Sequence, residues 1–262
     1  MKNKVSIAIA LSGGAAKGFA HLGVLQALEE HGMKPVAISG SSAGAIAAAF
    51  YADGYQPIEI LDLLSSYKLK NYFSLGFIRS GLMKTSGIFR ILKNHLRAEK
   101  IEELQIPTWI CVTNLNKGMA EYHHTGSLSR FVLASASIPV LFRPVSNHGI
   151  LLADGGICDN LPIEPLLNLG NKTFAVNVNP VVEEDTKPTL KAIAERTFVL
   201  SLNSRMKHSA KQPDLLFEPT DLASMGYFNI KKAEQIFRIG YDHACEKLKE
   251  HAITEKLQNR CG

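Results

Sequence analysis

VSIAIALSGGAAKGFAHLGVLQALEEHGMKPVAISGSSAGAIAAAFYADG, residues 5–54, reads as strand, turn and helix twice over. Val5 to Leu11 is aliphatic with little alternation, the pattern of a strand covered on both faces. Ser12-Gly13-Gly14-Ala15-Ala16-Lys17-Gly18 interrupts it. From Phe19 to His31 the apolar residues Phe19, Leu22, Val24, Leu25 and Leu28 return near helical spacing, with Gly32 as the stop. Pro35 to Ile38 then gives a short apolar strand, Gly40 to Gly44 a second small-residue turn, and Ala45 to Ala52 an alanine-rich helix ended by Asp53-Gly54. This alternation predicts an α/β fold, a mostly parallel central sheet with helices on its faces.

Working outward, Ile58 to Leu104 predicts several short helices capping the sheet, interrupted by an aromatic and glycine-rich stretch at Tyr72 to Met83. Thr108 to Asn114, Met119 to His123, Gly149 to Ala153 and Thr173 to Asn179 read as strands, and Leu128 to Ser137 as a helix. The acidic, proline-bounded stretch Pro180 to Pro188 reads as a loop, followed by helices near Leu190 to His208 and Ile230 to Leu257. No internal repeat, low-complexity tract or linker divides the chain. One domain over 1–262 is therefore expected, with a motif-bearing core at about 5–180 and a helical C-terminal part at about 188–257.

Composition narrows the function classes. Hydrophobic residues make up 46% and charged residues 20%, which suits a globular core and excludes a collagen-like repeat, a coiled coil or a disordered chain. A net charge of +5 spread over the whole length does not make a nucleic-acid protein; it mildly favours an anionic membrane surface. Cys111, Cys158, Cys245 and Cys261 lie far apart with no C-x-x-C pair, so neither a zinc site nor a disulfide framework is indicated and a reducing compartment fits. The basic start MKNK followed by Val5 to Leu11 has the outline of a signal peptide. Its apolar run passes directly into a glycine loop, however, and reads as a buried strand. No segment reaches the roughly 20 apolar residues of a membrane span, and the expected location is cytoplasmic, peripheral to a membrane at most.

The sharpest chemical feature is Gly40-Ser41-Ser42-Ala43-Gly44, a G-x-S-x-G pattern between a predicted strand and a predicted helix. A sharp turn at this spacing thrusts Ser42 outward, and side chains at Gly40 and Gly44 would collide with neighbouring backbone. The following helix presents its positive end to a developing oxyanion. A tight packing turn is the plain alternative. A serine hydroxyl also needs a base. His208, His243 and His251 come late enough in the chain for a Ser-His-Asp arrangement but sit in charged helical sequence. His21 reads as packing locally, and His123, His124 and His148 as surface or strand-end residues. Asp154, leaving an apolar strand into Gly155-Gly156, offers a carboxylate base whose burial would raise its pKa, with an ordinary Asp-Gly turn as its alternative.

Gly13-Gly14-Ala15-Ala16-Lys17-Gly18 supplies converging backbone N–H groups at a helix start, as an oxyanion hole requires. It has neither the G-x-x-x-x-G-K-[ST] order nor G-x-G-x-x-G, so a nucleotide reading fails on spacing. Lys17 would orient this loop or attract an anionic head group, or else stand exposed on the first helical turn.

Anion loop, serine elbow and strand-end aspartate, in this order, resemble the bacterial patatin-like phospholipases, a group with plant patatin and, more distantly, the catalytic domains of cytosolic phospholipase A2 and neuropathy target esterase. The matching pieces are Ser12 to Leu25, the Gly40 to Gly44 elbow, Ala134-Ser135-Ala136-Ser137-Ile138-Pro139 with Phe142-Arg143-Pro144-Val145, and Asp154-Gly155-Gly156 followed by Asn160-Leu161-Pro162. The resemblance implies a three-layer α/β/α domain and a Ser-Asp dyad: Ser42 attacks an acyl ester, Asp154 takes its proton, and amides of Gly13, Gly14 and Ala15 hold the oxyanion. Ser12 stands where many members have glycine, Ala15 where patatin has one, and Lys17 where arginine is more frequent.

The reading is thus a metal-independent and cofactor-free serine hydrolase of phospholipid or lysophospholipid esters, with head group, chain length and oligomeric state left open. Tyr72 to Ile78 would be a lid or membrane-contacting surface, or simply core. A Ser-His-Asp esterase of small soluble esters and a catalytically silent lipid- or protein-binding module are the alternatives.

Overall fold

The uninterrupted aliphatic runs become the centre of a sheet. The computed structural model describes residues 6–67, 74–75, 83–84, 86–139, 141–183, 189–204, 212–227 and 229–261. Strand β1 (Ile7–Leu11), buried along its whole length, pairs in parallel with β2 (Pro35–Ser41) on one side and β9 (Lys172–Val176) on the other. Beyond β9 lies β10 (Leu215–Phe217), and beyond β2 lies β5 (Thr108–Asn114), both again parallel. The antiparallel part is built on β5 from β6 (Met119–His123) and β8 (Ile150–Asp154), with β7 (Val145–Asn147) beside β8. A separate two-stranded pair, β3 (Ser74–Leu75) with β4 (Met83–Lys84), stands outside this sheet.

The helices are α1 (Phe19–Glu30), α2 (Ala43–Ala52), α3 (Pro57–Ser66), α4 (Ser86–His95), α5 (Leu128–Ser135), α6 (Leu190–Ser204) and α7 (Ala233–Cys261). One sheet face carries Ile7, Ile9, Leu11, Ile38, Ile110 and Val112 into the main core with the helices α1, α2 and α5. The opposite face is made of Ala8, Ala10, Ala37 and Ala175, small enough for the irregular segment bearing Leu161, Ile163 and Leu166 to lie close upon it. The result is an α/β fold with a mostly parallel central sheet.

The strands at 108–114 and 119–123 coincide with the sequence pattern. Strand β2 runs past Ile38 to Ser41, so extended backbone continues into the serine turn. Strands β7 and β10, three residues each, are too short for alternation to mark them. The expected features at His208, most of Tyr72 to Ile78 and the end of the Pro180 to Pro188 loop lie outside the described residues. Among the described residues no helix is long and apolar enough to cross a membrane, and no group of three or more His, Cys, Asp or Glu side chains is placed to hold a metal ion.

Helix α1 is buried on nearly every side because α7 covers the face that the sheet does not. Glycines set the spacing of that contact: a Cβ at Gly23 would lie 2.1 Å from the Phe237 carbonyl oxygen, and one at Gly240 would lie 2.2 Å from that of Ala20. Gly23→Val is expected to force the two helices apart and lower unfolding free energy by about 1–3 kcal/mol, measured by denaturant titration. Unchanged stability would refute the close packing.

Candidate active site

The sheet topology brings two strand ends together. Strand β2 pairs with residues 108–111 of β5 and ends with Ser41 opposite Cys111, whereas β8 pairs with residues 112–114 and ends with Asp154 opposite Val112. Since β6 occupies the other edge of β5 over residues 110–114, β2 and β8 share one edge. They run toward each other and stop head to head, which delivers the residues at their ends, Ser42 and Asp154, to one point.

Both turns at this meeting need glycine. A Cβ at Gly40 would lie 2.4 Å from the Gly44 carbonyl oxygen, and one at Gly44 would lie 2.2 Å from that of Leu11. At Gly155 it would meet the Cys111 carbonyl oxygen at 2.4 Å and Ser41 Oγ at 2.6 Å. Ser42 itself takes φ 51°, a left-handed conformation that a non-glycine residue holds only under constraint. That constraint is visible: the Ser42 backbone N–H donates to Ser135 Oγ at 2.8 Å, and the Ser135 hydroxyl donates to the Cys111 carbonyl at 2.6 Å. On the other side Thr113 Oγ1 donates to the Asp154 carbonyl at 2.8 Å.

The Ser42 hydroxyl donates to Asp154 Oδ2 at 2.6 Å, and both residues are almost wholly buried. The other oxygen, Asp154 Oδ1, accepts the Gly156 N–H at 2.8 Å, which fixes the carboxylate plane. Burial pushes the Asp154 pKa up from 3.8 to about 6, against the opposing hydrogen bonds from Ser42 and Gly156. At neutral pH the carboxylate form predominates, and its proton affinity exceeds that of an ordinary aspartate.

His21, His243 and His251 are engaged elsewhere. His21 is fully buried and held neutral, its pKa lowered to about 4 by burial, with Nε2 on the Ser12 carbonyl at 2.7 Å. His243 Nε2 accepts the Glu218 N–H at 3.2 Å, and the His251 ring meets Phe174 edge-on.

The glycine loop packs over the serine but is not a uniform row of free amides. The Gly13 N–H donates to the Asn160 carbonyl at 3.1 Å, that of Ala16 to the Tyr227 carbonyl at 2.8 Å, and that of Lys17 to Gly14 at 3.0 Å. The amides of Gly14 and Ala15, at the open end of the 3₁₀ turn Ala15–Gly18, have no such acceptor among the described residues. Ala15 adopts φ 49°, a backbone conformation that favours glycine. A polar scaffold holds the loop from beneath: Asn179 Nδ2 donates to the Gly13 carbonyl at 2.6 Å, and the Val178 N–H donates to Ser12 Oγ at 3.1 Å. Asn203 Nδ2 in turn donates to the Asn179 carbonyl at 2.9 Å. Lys17 is not an exposed lysine on the first helical turn; it is 3% exposed, with Nζ lying 4.3 Å from the centre of the Tyr227 ring.

Ser42 opens into an apolar cleft with about 830 Å³ of empty space, its mouth included, lined by residues such as Phe19, Leu22, Ile46, Ala47 and Phe142. Reading the sequence missed the Ser135 bridge and the asparagine scaffold. Ser135 lies inside the matching Ala134 to Pro139 piece, and Asn177 to Asn179 follows directly on strand β9, so position alone was the available signal.

A patatin-like phospholipase family model matches residues 9–167, more than half of the chain. The chain is also 25% identical to Lysophospholipase nte1 of Neurospora crassa and 28% identical to Lysophospholipase NTE1 of Eremothecium gossypii. Those alignments cover 97% and 96% of this chain, which spans only 19% of the length of either relative. Among solved structures it is similar to VipD from Legionella pneumophila, with a TM-score of 0.63 and 18% identity over 95% of this chain and 67% of that one. That likeness shows the fold. Fungal and bacterial proteins both appear among these matches, so the bacterial branch is not set apart.

Removing the Ser135 hydroxyl orphans two buried backbone groups. Ser135→Ala is expected to cost about 1–3 kcal/mol in denaturant unfolding. Ala15→Gly relieves a left-handed alanine and is expected to leave the thermal midpoint unchanged or raised by a few degrees. The opposite sign in either variant would contradict the geometry described.

Proposed function

The chain belongs to the patatin-like phospholipase family, and we propose that it is a serine hydrolase of lipid acyl esters, of the phospholipase A or lysophospholipase type. The observation that carries the reading is the 2.6 Å hydrogen bond from the Ser42 hydroxyl to Asp154, buried at the head of an apolar cleft. Ser42 Oγ attacks the ester carbonyl carbon while its proton passes to Asp154 Oδ2. The developing oxyanion is taken by the amides of Gly14 and Ala15, with the positive end of α2 behind Ser42. Gly13, whose amide is committed to Asn160, contributes backbone shape rather than a donor. Asp154 then protonates the departing alcohol, leaving an acyl-Ser42 ester, which water hydrolyses with Asp154 again as base.

The apolar cleft suits an acyl chain, and the lysophospholipase names of the fungal relatives make a phospholipid or lysophospholipid ester the proposed substrate, approached by peripheral contact with its membrane. Gly40, Gly44, Gly155 and Gly156 serve the turns that hold the pair, and Lys17 braces the loop against Tyr227. Residues 1–262 are proposed to act as one unit, since α7 of the C-terminal part packs on α1 of the core. A Ser-His-Asp mechanism draws no support from His21, His243 or His251, which face other partners.

A fluorophosphonate probe is expected to label Ser42, located by mass spectrometry, and Ser42→Ala to abolish labelling. Asp154→Asn is expected to slow it by a factor of about 10² or more. Labelling of Ser42→Ala, or a wild-type rate in Asp154→Asn, would overturn the dyad. Because the base is lost when Asp154 takes up a proton, the acylation rate should also fall about tenfold per pH unit below about 6 and level off above it. A stopped-flow pH profile flat through that range would contradict this assignment.

A further inference from the structure

Asn160 follows Asp154-Gly155-Gly156 by four residues and is 3% exposed, yet among the described residues neither its Oδ1 nor its Nδ2 has a hydrogen-bond partner. Buried amides are costly to leave so and are commonly satisfied by an ordered water. The place of this one is specific. Asn160 Oδ1 lies 2.9 Å, and Asp154 Oδ1 3.0 Å, from the point a Cβ on Gly156 would occupy. The same Asn160 oxygen lies 2.6 Å, and Ser42 Cβ 3.0 Å, from the equivalent point on Gly13. An unpaired acceptor therefore stands beside both members of the dyad, within the span of one bridging water of the carboxylate. Glycine at positions 13 and 156 keeps side chains out of that space.

A separate cleft lies on this side of the pair. A second, more polar cleft, with about 1630 Å³ of empty space including its mouth, is lined by Asn160 together with Glu121, Tyr122, Asp159, Glu164 and Leu202. None of these residues lines the apolar cleft at Ser42. Leu202, which lines the polar cleft, also packs against this space, its Cδ2 lying 3.1 Å from the same Gly156 point.

We propose that Asn160 positions the hydrolytic water of the second half reaction, drawn from the polar cleft while the acyl chain fills the apolar one. The proposal rests on the Ser42–Asp154 reading above. The water donates one O–H to Asp154 and the other to Asn160 Oδ1, which turns an oxygen lone pair toward the carbonyl carbon of acyl-Ser42. As the new carbon–oxygen bond forms, the first proton passes to Asp154. Collapse of the tetrahedral intermediate breaks the bond between that carbon and Ser42 Oγ, which recovers the proton from Asp154 and releases a carboxylic acid. The first half reaction does not use this contact, because there the alcohol leaves with the proton that Asp154 took from Ser42.

The test is Asn160→Leu in the full chain, close in size and without the polar atoms, assayed at alkaline pH with a short-chain p-nitrophenyl ester. Thermal stability is expected to equal or exceed that of the wild type, and fluorophosphonate labelling to keep the wild-type rate. Nitrophenolate release should become a burst of about one equivalent followed by turnover slowed at least about tenfold. Intact-mass spectrometry should show the acyl group on Ser42. Asn160→Asp, which keeps an oxygen in place, should lose the burst. Asn160→Ala carries the same expectation as the leucine variant should that one not fold. An unchanged time course, or labelling and turnover falling by one common factor, would overturn the role. A wild-type chain that neither labels at Ser42 nor turns over ester removes the dyad itself, a result distinct from either.

Discussion

The site depends on two strands colliding end to end along one edge of β5. Strand β2 arrives parallel to β5 and stops at Cys111, β8 arrives antiparallel and stops at Val112, and neither can continue without entering the other. Both chains must turn away there, and the residues at which they turn are Ser42 and Gly155. Proximity of a hydroxyl and a carboxylate separated by more than a hundred residues is then a consequence of hydrogen-bond register rather than of any local preference. It also explains why the space around them admits only glycine at 40, 44 and 155, where added carbons would lie on backbone oxygens.

Such a meeting is held against opposing terms. Ser42 and Ala15 sit at positive φ, a conformation that costs on the order of 1–2 kcal/mol each without a glycine. Asp154 is an acid taken out of water. What holds them is a set of buried polar clamps that each tie one turn to something already fixed: Ser135 ties the elbow to β5, Thr113 ties Asp154 to β5, and Asn179 ties the glycine loop to the end of β9. Each clamp lies on or bonds beside an internal strand, so strain at the turns is passed to the sheet.

Much of this is legible in the amino-acid sequence alone. Residues 5–54 carry their strand, turn and helix boundaries openly, since uninterrupted aliphatic runs, glycine turns and an alanine-rich helix are local signals. The strands at 108–114 and 119–123 show for the same reason. What stayed hidden depends on partners distant in sequence. Nothing near Gly13 says that its amide is spent on the Asn160 carbonyl, and nothing near Lys17 says that Tyr227, two hundred residues on, will cover it. The scaffold of Asn177, Asn179 and Asn203 is drawn from the part of the chain where family motifs have faded. Short strands such as β7 and β10 exist because a longer neighbour offers an edge, and three residues hold too little pattern to announce it.

The arrangement of the carboxylate also bears on how the proposed two-residue site would work. In a triad the imidazole must be oriented by a third group, because a ring on a flexible side chain has two nitrogens and a choice of tautomers. Asp154 has no such choice. Its Oδ1 is pinned by the Gly156 N–H two residues ahead, which leaves Oδ2 as the oxygen presented to Ser42. In the proposed dyad the short turn that ends β8 would do for the base what a separate acid does for a histidine, and burial raises the proton affinity of Asp154 toward the range an imidazole has by nature. A glycine at 156 is needed for the same reason, since any side chain there would press on Asp154 Oδ1 and on Asn160 together. Under the proposed mechanism, orientation, basicity and room for a second reactant would all come from one three-residue sequence at the end of one strand.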